Sequence, residues 1–129
     1  MKKSLILILL VSFTLLDCGT SISSGTIAPD KFKEAIDSMS GLQILDVRTP
    51  DEFISGHIEG ARNLDFFGPN FQSELSKLDQ NKPIAVYFAV GSRSVSTLKM
   101  LQSLGYQKIY DLEGGILNWQ KYGFEVTKN

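Results

Sequence analysis

The sequence predicts a single α/β domain, because each apolar strand-like run is followed at once by the signals of a helix start. The run over residues 84–88 leads into Val95, Leu98, Leu101 and Leu104, which recur at helical spacing until Gly105. The run over residues 42–47 is closed at Arg48 and followed by Thr49-Pro50-Asp51-Glu52. A third run, over residues 108–112, precedes Gly114-Gly115 and a helical segment over 116–122 that carries Trp119. Strands alternating with helices require crossover connections, so a parallel sheet covered by helices on both faces is expected.

In order along the chain, residues 1–17 read as a signal peptide, 18–25 as a flexible tether and 26–125 as the folded domain. Lys2 and Lys3 precede an apolar run over 5–16 that is too short to span a bilayer comfortably, the pattern of a secretory signal. Residues 19–28 are small and polar, as a tether requires. Pro29 suits a first helical position, and Phe32, Ala35, Ile36 and Met39 form one apolar stripe. Thr49 as N-cap, Pro50 at the first position and Glu52 three residues after the cap make a capping box, and Gly56 ends that helix. Residues 57–64 read as a turn into a short strand. Phe66, Phe67 and Phe71 surround a loop broken by Gly68 and Pro69, as core or rim residues. A short helix is expected over 73–78 and a turn at Lys82-Pro83.

With 129 residues, 43% of them hydrophobic, the chain suits one domain of modest core plus a targeting segment. Its net charge is −1, and without residues 1–17, which hold two lysines and one aspartate, it becomes −2. That balance argues against a nucleic-acid partner. The one cysteine, Cys18, excludes an intrachain disulfide. Leu15-Leu16-Asp17-Cys18-Gly19 resembles a bacterial lipobox, in which the cysteine is lipidated and becomes the mature N-terminus. Asp17 departs from that pattern, where a small residue is usual. Ordinary cleavage near Ser21, which would discard Cys18, and an uncleaved membrane anchor remain open. The expected location is the periplasm, or the membrane through a lipidated Cys18.

The segment following the 84–88 run has the form of an anion cradle. Ala89, Val90, Gly91, Ser92, Arg93 and Ser94 join strand to helix, with Gly91 permitting close backbone approach and Arg93 adding a full charge. Backbone N–H groups at such a helix start favour an anion by about 0.3 to 1 kcal/mol. Asp46 and Arg48, at the end of the neighbouring strand, are expected to organise the rim, with Glu52 as a partner for Arg48.

Four ordered stretches carry a resemblance to a known family. They are Leu45-Asp46-Val47-Arg48-Thr49-Pro50-Asp51-Glu52-Phe53, Gly56-His57-Ile58-Glu59-Gly60-Ala61-Arg62-Asn63, residues 87–94, and Leu112-Glu113-Gly114-Gly115-Ile116-Leu117-Asn118-Trp119. From about Thr26 to Phe124 the chain resembles a single-domain rhodanese. The resemblance implies a parallel sheet of about five strands and a catalytic loop of pattern Cys-x-x-Gly-x-Arg. In active members the cysteine thiolate takes sulfur from thiosulfate or another donor, holds it as a persulfide and passes it to cyanide or a thiol. Here the corresponding stretch reads Phe88-Ala89-Val90-Gly91-Ser92-Arg93, so no catalytic residue is expected: Phe88 occupies the nucleophile position.

Phe88 has two readings, a ring that closes or faces a ligand pocket and a ring that fills the end of a buried strand. Arg93 could bind an anion or pair with Glu113 or Asp46. His57, the only histidine, reads as a hydrogen-bonded structural residue in preference to a catalyst or metal ligand, and Trp119 as core. No cofactor or metal is expected. The functional expectation is an inactive member of the sulfurtransferase family, acting as a binding or interaction module through residues 88–94. Its partner would be a small sulfur-containing or other anion, or an envelope protein. Sulfur transfer with a thiol supplied in trans, and a structural role in the envelope, stay open beside it.

Overall fold

The computed structural model describes residues 22–90 and 94–128. Five strands, β1 (Gly25–Ile27), β2 (Gln43–Asp46), β3 (Arg62–Asn63), β4 (Ile84–Tyr87) and β5 (Ile109–Leu112), form one sheet in the order β1-β5-β4-β2-β3. Every pairing is parallel. The helices α1 (Pro29–Ser38), α2 (Pro50–Ser55), α3 (Phe71–Leu75) and α4 (Ser94–Ser103) supply the crossovers, and α5 (Gly115–Lys121) follows the last strand.

The strands β4 and β5 are buried along their whole length, β4 as an unbroken apolar run suited to a two-sided sheet and β5 with one buried carboxylate, Asp111, that accepts from the Thr26 hydroxyl. Their side chains alternate between two cores. Ile84 and Val86 join Leu45, Phe71, Leu75 and Leu101 on one face. Ala85 and Tyr87 join Phe32, Leu112, Ile116 and Trp119 on the other. Trp119 is 3% exposed, meets Phe32 edge-on and donates from Nε1 to the Glu125 carbonyl.

The capping box of α2 forms as its sequence predicts: Thr49 Oγ1 accepts from the Glu52 N–H and the Glu52 carboxylate accepts from the Thr49 N–H. Three expectations change. The short helix expected over 73–78 lies at Phe71–Leu75, because Phe71 and Leu75 are the residues that reach the core. The segment expected to be a tether over 18–25 gives up its last residues to the fold. Gly25 opens β1, paired with Tyr110, and Ile22 packs against the core while its carbonyl accepts from the Tyr110 hydroxyl. At the other end, beyond residue 125, Val126 packs on the core and Thr127 bridges His57.

Candidate functional site

The C-terminal edge of β2 and β4 is braced by a buried ion pair. Asp46 is wholly buried, and Arg48 forks onto it, with Nε 2.9 Å from Oδ1 and Nη2 2.5 Å from Oδ2. Arg48 Nη2 also donates to the Gly56 carbonyl, and the Arg48 N–H donates to Asp46 Oδ1. Arg48 therefore makes its close ion pair with Asp46, and Glu52, the partner expected from sequence, acts on it only through its charge. The reason is local: the two residues flank the strand end and share one buried face, while the Glu52 carboxylate is held in the capping box by the Thr49 N–H and hydroxyl. Burial disfavours the guanidinium charge, but the hydrogen bonds and charge of Asp46 outweigh it and hold the Arg48 pKa above its ordinary value.

Two further side chains lock this corner, and sequence reasoning gave neither a role. Asn63 donates through Nδ2 to the carbonyls of Asp46 and Arg48. Tyr87, fully buried, accepts at its hydroxyl from the Ile58 N–H at 3.0 Å and hydrogen-bonds Asp46. Burial, then the Asp46 charge and hydrogen bond, push the Tyr87 phenol far above its ordinary pKa. The Arg48 guanidinium stands 5.7 Å from the Tyr87 ring centroid. Both residues fall inside the motifs that carry the resemblance; only their three-dimensional partners assign the work they do.

Phe88 is the first residue beyond β4. It is 5% exposed and belongs to the core cluster, with Phe66 in edge contact at 5.8 Å. Its ring forms part of a cavity of about 170 Å³ whose wall includes Val47, Arg48, Phe67, Ala89 and Val90. Phe88 thus fills the end of the strand, as the second reading expects, and it also lines the cavity. Among the described lining residues there is no thiol and no imidazole, and the one side-chain hydroxyl, that of Thr49, serves the helix cap.

The base of the loop is held by α5. Ile116 N–H donates to the Phe88 carbonyl at 2.9 Å and Leu117 N–H to the Ala89 carbonyl at 3.4 Å. Gly115 makes this approach possible: at φ +64° it would place a Cβ 2.4 Å from the Phe88 carbonyl oxygen. Of the residues expected to form the anion loop, Ala89 and Val90 stand at the cavity wall. Gly91, Ser92 and Arg93 lie outside the described residues, as do the side chain of Ser94 and Cys18. His57 is buried, bonded through Nδ1 to the Phe53 carbonyl and stacked on the Phe53 ring at 3.7 Å. Among the described residues no group of His, Cys, Asp and Glu is placed to hold a metal, and no helix is long and apolar enough to cross a membrane.

A parallel five-stranded α/β sheet, with a cavity at the carboxyl ends of β2 and β4 beside a strand-to-helix loop, defines the class of protein. The Rhodanese-like domain family profile matches residues 28–122, and the chain belongs to that family. The thiosulfate sulfurtransferase GlpE of Stutzerimonas stutzeri is 34% identical over 82 residues, 63% of this chain and 72% of that protein. The probable adenylyltransferase/sulfurtransferase MoeZ of Mycobacterium tuberculosis is 31% identical over 105 residues, 81% of this chain but 27% of its own length. The chain therefore spans about a quarter of that longer relative. Among solved structures, a rhodanese-related protein of Thermoplasma volcanium matches with a TM-score of 0.65 and 33% identity, covering 81% of this chain and 98% of that one. A rhodanese-like domain protein of Staphylococcus aureus matches with a TM-score of 0.68 and 26% identity, covering 81% and 97%.

Proposed function

We propose that this rhodanese-like domain does not transfer sulfur and serves as an exported binding module, working through residues 88–94. The observation that carries the reading is Phe88, which stands directly after β4, where the family resemblance places a cysteine, with its ring in the core. A phenyl ring cannot form a persulfide, and losing a covalent nucleophile costs on the order of 10⁶ in rate. The chain's one cysteine, Cys18, precedes the domain in a lipobox-like setting. Lys2, Lys3 and the apolar run behind them support export, and Cys18 supports attachment to a membrane through lipid. Binding is supported by the cavity of about 170 Å³ that remains beside Phe88, Ala89 and Val90.

The relatives named as thiosulfate sulfurtransferases make thiosulfate the first anion to try. Titration calorimetry of the full chain with thiosulfate, sulfate and phosphate should give a heat that Arg93→Ala removes. No heat with any of the three would overturn the anion reading in favour of a structural role in the envelope. A Phe88→Cys variant tests the cradle itself: its thiolate should attack the sulfane sulfur of thiosulfate, release sulfite and remain as a persulfide visible by mass. A folded variant that stays unmodified would mean that the loop has diverged beyond its missing thiol. Mass analysis of the mature N-terminus separates a lipidated Cys18 from cleavage near Ser21.

A further inference from the structure

A second cavity lies away from the loop and shares no lining residue with the cavity at Phe88. It is a groove of about 640 Å³ between α1, the segment leading into β3 and the chain beyond α5. Ile36, Ile58, Trp119 and Phe124 give it an apolar lining. Its charged residues are Glu59 and Glu125, both exposed, together with Lys33 and Asp37 on α1, which pair with each other. The Lys33–Asp37 pair is self-neutralising, so the charge offered to a ligand is that of the two glutamates.

We propose that this groove binds a short segment of a partner protein in which an apolar side chain is flanked by lysine or arginine. Charge complementarity selects that occupant. An apolar lining with two carboxylates favours a cationic apolar peptide and repels an anionic one. The volume lies within the range of about 300–1,000 Å³ typical of sites that enclose small ligands. A Cβ built at Gly123, one of its lining residues, meets nothing within 4 Å. This inference does not depend on whether residues 88–94 bind an anion.

Trp119, the only tryptophan of the chain, is 3% exposed but borders the groove beside Phe124, at 4.6 Å between ring centroids, so its fluorescence senses occupancy through that packing. The full chain should give a saturable Trp119 signal with a Lys-Leu-Lys-Leu peptide and none with Glu-Leu-Glu-Leu. Because exposed ion pairs are individually weak, the Glu59→Gln/Glu125→Gln double variant should bind about three- to tenfold more weakly. Both substitutions are on the surface, and an unchanged thermal melt will verify that the variant is folded. Equal response to both peptides, or binding unaltered in the folded double variant, would overturn the proposal. Concentration-dependent dimerisation that the double variant abolishes would also overturn it, by assigning the groove to a second copy of the chain.

Discussion

Replacing Gly115 by alanine should destabilise the domain by about 2–4 kcal/mol, a sum set by three contributions. Its φ of +64° is left-handed backbone, which costs an L-residue about 1–2 kcal/mol. The new Cβ would stand 2.4 Å from the Phe88 carbonyl oxygen and 2.7 Å from that of Ala89. These are backbone atoms at the end of a central strand, so they cannot rotate away and α5 must retreat. Retreat weakens the hydrogen bond from Ile116 N–H at 2.9 Å and the longer one from Leu117 N–H at 3.4 Å. Each such bond contributes about 0.5–1.5 kcal/mol net, with the longer one at the low end. Gly123→Ala is the control, because Gly123 has φ +85° but nothing within 4 Å of its would-be Cβ, so it carries the backbone cost alone. Urea unfolding followed through Trp119 should place Gly115→Ala well below Gly123→Ala, and thermal unfolding should give Gly115→Ala a melting temperature lower than wild type by about 10–20 °C. Equal stabilities of the two variants would refute the claim that α5 is seated on the loop base through a contact only glycine permits.

Other perturbations address the brace beneath the site. Asp46→Asn leaves the buried Arg48 charge without its partner and should cost about 3–5 kcal/mol in urea unfolding. Tyr87 has a folded pKa above its unfolded value of about 10, so the folded state retains a proton that the unfolded state loses. The stability this contributes is fully present below pH 10 and declines above it by about 1.4 kcal/mol per pH unit, a slope that Tyr87→Phe should remove from alkaline unfolding curves. Thr97 is fully buried in α4, and its hydroxyl has no hydrogen-bond partner among the described residues. The isosteric Thr97→Val should therefore raise stability by about 1 kcal/mol, read as an increased urea midpoint at unchanged slope.

The sheet was legible wherever a strand is central and apolar. Residues 84–87 and 109–112 are buried on both faces, and a run such as Ile84-Ala85-Val86-Tyr87 has few other uses. The α2 start was legible because a capping box is a local device whose partners are three residues apart. β1 was not, because Gly25-Thr26-Ile27 is an edge strand that reads as small and polar, and only its pairing with β5 makes it a strand. The close partner of Arg48 was missed for the opposite reason: Glu52, whose charge does act on Arg48, is the nearer choice on a helix template, but Asp46 shares the buried strand end. Asn63 and Tyr87 carry no local signal at all, since their partners are backbone groups and a carboxylate brought in from other strands and loops. Phe88 was legible as a departure from a motif, whereas its simultaneous membership of the core and of the cavity wall required the packing around Phe66.

Thiosulfate:cyanide sulfur transfer by the full chain is the most direct test of the claim that Phe88 has silenced this domain. Thiocyanate should form no faster than in the absence of protein, because no residue at the end of β4 can carry the sulfur. Turnover well above that background, persisting when Cys18 is replaced by serine, would contradict the account.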